Sequence, residues 1–464
     1  MKIRSVYQGM PYPLRVIAAS LHGFRLQMMR YPPDIDRLVA EALARESWNS
    51  DQWKAWQEER LAQILWHASR NVPYYRQQWE MRRRNGDQAT MESLSNWPVL
   101  SKDVLRDHPK AFVTDGIKLN SQIVEHTSGT TGKPLTLWMS KDSVRQWFTL
   151  FEARWRSWYG LSRHDPWGIL GGQMVTPFAQ NMPPFWVWNA GMNQLYLSSY
   201  HLAPQNIAAY LDAIQRHKLV YLLGYASSLY SVAQLALEQN LNIPVLKVVI
   251  SNAEPLYDHQ REVVSKAFKC PVYDTYGLSE NVCAASECLH GHLHLWPEVG
   301  VTEILDDNSD VQLLAGETGR LVCTGLLNLT MPLIRYDVGD RGFLSAGIMC
   351  ACGRNMPILS GIEGRKDDVL LTHDGRRIGR LDTVFKSDLP IREAQIIQES
   401  DKQILVLYVP APGCSDGDLN SLVERLRERL GNMEVVLKSV EKIPRSSNGK
   451  FRAVVSNLKN KMSN

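Results

Sequence analysis

The sequence His-Thr-Ser-Gly-Thr-Thr-Gly-Lys-Pro, residues 126–134, says more about the fold of this protein than any other stretch. Its polar and flexible members are Thr127, Ser128, Gly129, Thr130, Thr131, Gly132 and Lys133. Glycine lets the backbone approach a ligand closely, and exposed N–H groups, hydroxyls and an ammonium together can cradle phosphate oxygens. The flanking residues 123–124 and 135–138 are strand-like, so we expect a phosphate-binding loop between two strands.

This loop differs from the Walker phosphate loop, which has four residues between its glycines and Ser or Thr after its lysine. Here only Thr130 and Thr131 separate the two glycines, and Pro134 follows Lys133. The spacing therefore excludes a Walker-type NTPase. The alternative interpretation is a simple hairpin turn, because Ser, Thr and Gly dominate turns.

The composition indicates a globular, cytoplasmic protein of two or more domains. The chain has 464 residues, a net charge of +4 and seven cysteines. That charge is too small on this length to favour nucleic acid as a partner. Neither a secretory signal nor an apolar run long enough to span a membrane is present, so we expect no transmembrane segment and reduced thiols.

Strands and helices alternate between residues 165 and 276, which predicts an α/β domain with mostly parallel strands. Ligands bind at the carboxyl ends of such strands. The stretches that follow the predicted strands are 224–228, 251–254 and 276–280. From the second stretch we take Asn252, Ala253 and Glu254 as nucleotide-binding candidates. Trp186, Tyr225 and Asn252 are candidates for an acyl pocket, and a hydrophobic core explains these aromatic residues equally well.

Residues 273–280 read Tyr-Asp-Thr-Tyr-Gly-Leu-Ser-Glu. Together with residues 128–133 this stretch resembles the signatures of the adenylate-forming superfamily of acyl-CoA ligases and synthetases. The resemblance implies that Tyr276 and Gly277 contact the adenine of ATP, that Thr275 meets the substrate or a phosphate, and that Glu280 holds Mg²⁺. An aromatic face suits a purine, and Mg²⁺ prefers carboxylate and phosphate oxygens.

Three later stretches extend the same resemblance. Residues 331–341 resemble the motif whose aspartate, here Asp340, binds the ribose. Residues 364–368 resemble the interdomain hinge, which implies a ribose contact for Arg365 and a pivot at Asp367. Residues 444–452 resemble the loop of the adenylation lysine, so Lys450 would bridge the carboxylate and the α-phosphate. We therefore expect a large α/β domain over residues 1–363, with a helical N-terminal region, and a small mobile α+β domain over residues 364–464.

The cysteines predict a structural zinc site. Cys350 and Cys352 form a Cys-x-Cys pair, and Cys288 lies six residues before His294. Three thiols and an imidazole match a closed tetrahedral site, and the resemblance to phenylacetate-CoA ligases implies the same ligand pattern. The alternative is a set of buried free thiols. Further candidates for the ligand positions are His290, His292 and Cys283.

Residues 183–186, 224–228 and 394–398 resemble stretches of CapK-like proteins, which are linked with capsular polysaccharide biosynthesis. The resemblance implies an AMP-forming carboxylate ligase that uses ATP and Mg²⁺, releases pyrophosphate, and transfers the acyl group to CoA, a carrier protein or an amine. Residues 378–382 depart from the phenylacetate-CoA ligase pattern, so the acid and the acceptor stay open. The second hypothesis is an inactive nucleotide-binding relative that acts as a binding or scaffold protein.

Overall fold

The computed structural model describes residues 6–84, 94–126, 135–177, 179–254, 256, 258–347, 349–363, 370–373, 377–378, 381, 384, 389–410, 413–441, 443 and 454–458. Its α-helices are α1 (Tyr12–Arg30), α2 (Ile35–Ala44), α3 (Ser50–Asn71), α4 (Pro73–Arg84), α5 (Lys102–Asp107), α6 (Lys141–Phe151), α7 (Ile207–Arg216), α8 (Ala226–Glu238), α9 (Asp258–Phe268) and α10 (Asp416–Leu430). A π-helical turn, Glu152–Arg156, continues α6. None of the described helices is both long and apolar enough to cross a membrane.

The strands are β1 (Ile123–His126), β2 (Thr136–Met139), β3 (Trp167–Gly171), β4 (Trp186–Asn189), β5 (Gln194–Ser198), β6 (Tyr221–Tyr225), β7 (Val248–Asn252), β8 (Val272–Gly277), β9 (Ala284–Glu287), β10 (Leu293–Leu295), β11 (Gly300–Leu305), β12 (Gly319–Gly325), β13 (Tyr336–Leu344), β14 (Ile358–Glu363), β15 (Leu370–Leu371), β16 (Arg377–Ile378), β17 (Ile391–Gln398), β18 (Gln403–Pro410), β19 (Glu434–Ser439) and β20 (Val454–Ser456).

A twelve-stranded sheet forms the large domain, in the order β11-β12-β13-β14-β10-β9-β8-β7-β6-β3-β5-β4. The prediction of an α/β domain is confirmed. Parallel pairing, however, is confined to β5, β3, β6, β7 and β8, and the other seven strands join antiparallel. The sheet is therefore mixed, because the strands after β8 follow one another without a helical crossover, which parallel neighbours need.

The parallel strands are buried on both faces. On β6, Leu222 packs with α7, α8 and α9 on one face, whereas Tyr221 and Leu223 pack on the other face with α2, α6 and the π-turn. This alternation follows from the two-residue period of a strand. Near-continuous apolar runs are what doubly covered strands require.

The predicted phosphate loop is flanked by paired strands, as expected from the sequence. β1 and β2 pair antiparallel, with Ile123 opposite Met139 and His126 opposite Thr136. Residues 127–134, between these strands, lie outside the described residues. The hairpin packs close to the carboxyl edge of the parallel strands, since Ile123 and Met139 line the same cavity as Asn252.

The C-terminal residues form a separate four-stranded sheet in the order β19-β18-β17-β20. β18, α10 and β19 make a parallel crossover, and β17 pairs antiparallel with β18. The capping box of Ser415 and Asp418 fixes the start of α10. A small α+β unit with its own core is thus present after β14, the last strand of the large sheet.

Candidate active site

Three strand ends meet at one edge of the parallel sheet. β6, β7 and β8 end at Tyr225, Asn252 and Gly277, and the register pairs Tyr225 with Asn252 and Ser251 with Asp274. Ala253 follows β7 with φ of +62°, a conformation that L-residues adopt only at a cost. Backbone and side-chain groups are therefore concentrated where open α/β sheets bind ligands.

Thr275 is held rigidly at this edge. Its hydroxyl donates to the Ser251 carbonyl oxygen over 2.6 Å, and its side chain is buried. The neighbouring Asp274 accepts the Thr275 N–H over 2.9 Å, and its own N–H donates to Glu287 Oε2 over 2.6 Å. Burial raises the pKa of Asp274 to about 7, because desolvation disfavours the carboxylate.

The structure brings the predicted adenine and ribose residues together. Tyr276 on β8 donates its phenol O–H to Asp340 Oδ2 on β13 over 2.8 Å. Burial, followed by the nearby Asp340 carboxylate, raises the pKa of Tyr276 well above its ordinary value. Tyr276 is therefore a neutral donor, and the contact fixes its ring against a buried carboxylate.

Glu280 makes two polar contacts that the sequence did not reveal. Its Oε1 accepts the Tyr336 hydroxyl over 2.9 Å and lies 3.5 Å from Lys102 Nζ. Backbone hydrogen bonds between Leu100 and the residues at the start of β13 hold Lys102 close to Glu280. A single buried carboxylate fits the way proteins bind Mg²⁺, in which phosphate oxygens and water complete the coordination.

A cavity of about 310 Å³ opens beside these groups. Asn252, Ala253, Thr275 and Gly277 line one side of it. The opposite side is aromatic, and its members are Trp147, Phe148 and Trp155 of α6 and the π-turn. The arrangement is a concave site with one polar and one aromatic wall, which is typical of small-molecule pockets.

Arg30, the last residue of α1, also lines the cavity. Its guanidinium lies 4.1 Å from the centroid of the Phe148 ring, a cation–π distance. Its Nε is buried without a hydrogen-bond partner in the described structure. Burial lowers the pKa of Arg30, since desolvation disfavours the cation. The aromatic wall therefore carries one positive group.

The structure places the three acyl-pocket candidates in different parts of the large domain. Asn252 lines the cavity, whereas Tyr225 ends β6 with its hydroxyl directed at Gly172. Trp186 lies on the edge strand β4, packs on Tyr210, and borders a separate hollow with Tyr12. We therefore replace Trp186 with Trp147 and Trp155 as the aromatic candidates.

Several predicted site residues lie outside the described residues. They are Thr127, Ser128, Gly129, Thr130, Thr131, Gly132, Lys133, Arg365, Asp367 and Lys450. Glu254 is described and is half-buried just after β7. The part of the candidate site that the structure describes is therefore the part in the large domain.

The four predicted zinc ligands form one cluster. The ligand atoms of Cys288, His294, Cys350 and Cys352 all lie within 4.8 Å of one another. Cys288 Sγ is 3.6 Å from Cys350 Sγ, and Cys352 Sγ is 3.4 Å from His294 Nε2. Two ligands on a tetrahedral Zn²⁺ lie about 3.4–3.8 Å apart, given bond lengths near 2.0–2.3 Å. The donor set and its spacing fit such an ion.

The histidine of the cluster is oriented for ligation. His294 Nδ1 lies 3.2 Å from the Met356 carbonyl oxygen, which leaves Nε2 facing the thiols. Burial lowers the pKa of His294 to about 4, so the ring is neutral. His290, the alternative ligand, is exposed and outside the cluster.

Comparisons with known proteins identify the class. Residues 76–331 match the family model "AMP-binding enzyme", and residues 370–457 match the model "CapK C-terminal domain". The first match covers more than half of the chain. The protein belongs to the AMP-binding enzyme family, whose members are adenylate-forming enzymes.

Individual relatives show which members of that family the chain resembles. It is 26% identical to Protein CapK of Staphylococcus aureus, over 87% of this chain and 89% of that protein. It is 25% identical to the phenylacetate-coenzyme A ligase of Escherichia coli strain K12, over 70% of this chain and 74% of that enzyme. Both of the branches predicted from the motifs are thus represented among the relatives.

A solved structure supports the fold. The chain resembles 2-hydroxyisobutyryl-CoA ligase with a TM-score of 0.57 and 21% identity, over 90% of this chain and 92% of that one. At this identity the likeness concerns the fold. The architecture of a large sheet domain followed by a small C-terminal sheet domain is therefore that of an adenylate-forming ligase.

Proposed function

We propose that the protein activates a carboxylic acid with ATP, forms an acyl-adenylate and releases pyrophosphate. The observation that carries this proposal is the convergence of Thr275, Tyr276, Glu280 and Asp340 at one sheet edge. An aromatic ring, a ribose-type carboxylate and a metal-type carboxylate are the groups that a bound Mg·ATP needs. The strands β1 and β2, which flank the phosphate-loop sequence, lie close to the same edge.

The proposed nucleotide contacts rest on this geometry and, for residues 127–133 and Arg365, on the motif resemblance alone. The Tyr276 ring packs on adenine, and Asp340 accepts hydrogen bonds from the ribose hydroxyls, with Arg365 beside it. Residues 127–133 hold the β- and γ-phosphates, and residues 252–254 border the adenine. Glu280 would hold Mg²⁺, which would neutralise charge on the phosphate oxygens.

The chemical step is an in-line displacement at the α-phosphorus. A carboxylate oxygen of the acid forms a bond to the α-phosphorus while the bond to the bridging β-phosphate oxygen breaks, so pyrophosphate leaves. Lys450 donates to the carboxylate and the α-phosphate, where its ammonium stabilises the developing charge. Thr275 is rigid and buried, and it positions the reacting groups.

The second step transfers the acyl group to CoA or to another thiol or amine acceptor. The similarity to phenylacetate-coenzyme A ligases supports CoA, and the proposed role in capsular polysaccharide biosynthesis rests on the motif resemblance to CapK-like proteins. We propose that residues 364–464 are the mobile domain, that Asp367 is its pivot, and that both steps take place in the cytoplasm.

The proposed acid is apolar or aromatic. The wall formed by Trp147, Phe148 and Trp155 provides flat apolar surface. Arg30 adds a positive group at that wall, which suits a substituent that accepts a hydrogen bond. Asn252 would lie at the reacting end of the pocket.

We also propose that Cys288, His294, Cys350 and Cys352 hold a structural zinc ion. The four-residue donor set leaves no open coordination position, so the ion would stabilise the fold and take no part in catalysis. It would attach the β9–β10 hairpin to the loop before β14.

The test is ATP–pyrophosphate exchange against aryl, fatty, hydroxy and amino acids. One acid class should support exchange, and Lys450→Ala should remove it by about 10²-fold or more. Lys461→Ala, in the same tail, is the matched control and should behave as the wild type. Thioester formation from a preformed adenylate should survive in Lys450→Ala, and equal loss of both steps would contradict the assigned role.

The second candidate is an inactive nucleotide-binding relative that serves as a binding or scaffold protein. ATP binding without exchange for any acid, and without any effect of Lys450→Ala, would favour it. The complete set of chemistry-bearing residue types in the chain favours the enzyme.

A further inference from the structure

Helix α1 carries an apolar stripe on its outer face. The members are Leu14, Ile17, Leu21, Phe24 and Met28, with exposed fractions of 50%, 53%, 67%, 49% and 70%. At 100° per residue they fall within an arc of about 80° on one side of the helix. Together with Val6, they make up six of the 17 large apolar side chains that are exposed among the described residues, and the others are scattered along the chain.

The inner face of α1 is already used, so the stripe cannot turn inward. Gly191 approaches so closely that a Cβ there would lie 2.2 Å from the Phe24 nitrogen. A Cβ at Gly23 would lie 1.7 Å from the Asn189 side chain. Arg15 donates to Gln180 Oε1 over 2.9 Å from the same side. The helix is clamped to the edge strand β4 and the turn after it, and its apolar stripe is a fixed surface feature.

The segment that contains the stripe has basic residues and no acidic ones. Residues 1–33 contain five Lys and Arg residues and no Asp or Glu, whereas residues 34–464 contain 47 basic and 48 acidic residues. The positive excess of the chain is thus carried by this segment. The exposed Arg25 lies about 20° beyond the stripe on the helix surface. Its stem can follow the apolar face while its guanidinium reaches an anion.

We propose that the outer face of α1 docks on an anionic lipid bilayer. Arg15 and Arg30 lie on the inner side of the helix, so the exposed Arg25 is the basic group beside the stripe. An apolar stripe with an arginine at its border and no acidic residue in residues 1–33 has the chemistry of a helix that lies in the interface plane, with its apolar side chains among the acyl chains. A second copy of the chain is less suitable. Two positive segments would then face each other, and the stripe covers only about two heptads, fewer than coiled coils sustain.

Docking would bring the candidate active site near the bilayer. Met29 and Arg30, at the end of the same helix, line the cavity of the site. A helix of 19 residues is about 28 Å long. The bilayer would therefore lie within one helix length of the acyl pocket, whichever acid and acceptor the enzyme uses.

The experiment is co-sedimentation of the full-length protein with vesicles. We expect binding to phosphatidylcholine vesicles that contain about a quarter phosphatidylglycerol, little binding to pure phosphatidylcholine, and weaker binding when salt rises from about 0.1 to about 0.5 M. The double variant Leu21→Gln/Phe24→Gln should bind at least about tenfold less, since two apolar side chains leave the bilayer. Val311→Gln/Leu314→Gln, equally exposed elsewhere, is the matched control and should bind as the wild type.

Each other outcome would overturn the proposal. The absence of vesicle binding, or equal binding by both double variants, would do so directly. A lipid-free dimer that only Leu21→Gln/Phe24→Gln dissolves would make the stripe an interface between copies. A loss of ATP-dependent activity in that variant without lipid would show that another part of the chain covers the stripe. Unchanged thermal unfolding of the variant excludes misfolding as the cause.

Discussion

At the scale of single residues, a substitution of Glu280 tests the proposed catalysis against nucleotide binding alone. Glu280→Gln keeps an acceptor for the Tyr336 hydroxyl and removes the negative charge next to Lys102. We expect exchange to fall by about 10²-fold or more and its Mg²⁺ dependence to weaken, since the proposed metal ligand is lost. Tyr336→Phe, which leaves the carboxylate in place, is the control and should cost much less. A Glu280→Gln rate within about threefold of the wild type would contradict the role.

The raised pKa of Asp274 leads to a prediction about how the stability of the fold depends on pH. Its pKa is raised to about 7 in the folded protein, above the unfolded value near 3.9. The folded state therefore binds the proton more tightly, and the stability contributed by this proton is complete below about pH 4 and lost as pH rises to about 7.

Urea unfolding at pH 5 and pH 8 measures this contribution. In Asp274→Asn, the free energy of unfolding should fall between pH 5 and pH 8 by about 2–4 kcal/mol less than in the wild type, because the amide does not ionise. Asp107→Asn, at an exposed position, should leave the pH dependence as in the wild type. If both variants keep the wild-type profile, Asp274 does not titrate in this range.

At the scale of elements, the proposed metal cluster joins two segments that are distant in sequence, the β9–β10 hairpin and the loop before β14. Cys288 follows β9, His294 lies on β10, and Cys350 and Cys352 precede β14. We expect about one zinc per chain, loss of the ion in Cys352→Ser, and a clear fall in the unfolding temperature. Cys414→Ser, at a half-buried thiol of the C-terminal unit, should keep the ion. Metal analysis that finds no zinc in the wild type would reject the site.

The large sheet shows which parts of the strand arrangement the hydrophobic pattern of the sequence could not predict. Alternating strands and helices correctly indicated the parallel strands β3, β6, β7 and β8, because their apolar runs are local features, whereas β5 was not predicted. The antiparallel half was not predicted, since pairing of β9 to β14 depends on which strands meet in space. Trp186 shows the same limit: aromatic character is local, whereas its place on the far edge strand is not.

At the scale of the whole molecule, a buried ion-pair network joins the helical N-terminal region to the sheet. Arg154 is fully buried and pairs with Glu46 at 3.2 Å and Glu298 at 2.5 Å. Arg354 also pairs with Glu46, over 2.9 Å, and its guanidinium lies over Trp158. The network thus connects the end of α2, the π-turn and the metal cluster.

Arg154→Ala should destabilise the protein by about 1.5–3 kcal/mol, because Glu46 and Glu298 lose a buried, charged hydrogen-bond donor while each keeps one other arginine, Arg354 and Arg45. Arg37→Ala removes an arginine that also pairs with two carboxylates, Asp34 and Glu41, but at an exposed site. It should cost less than about 1 kcal/mol. Urea unfolding of both variants measures the difference, and equal losses would show that burial is not the decisive factor.

The family could be identified without the fold, because it depends on short motifs whose residue types stand side by side in the chain. The proposed roles of the phosphate-loop motif, Tyr276, Glu280 and Asp340, and the proposed ligand set of the metal cluster, were assigned in the same way. Tertiary structure was needed to show that Lys102 and Tyr336 contact Glu280, that α6 supplies the aromatic wall, and that α1 leaves an apolar face exposed. These relations join residues from separate elements, and long-range packing, rather than local sequence, determines which elements meet.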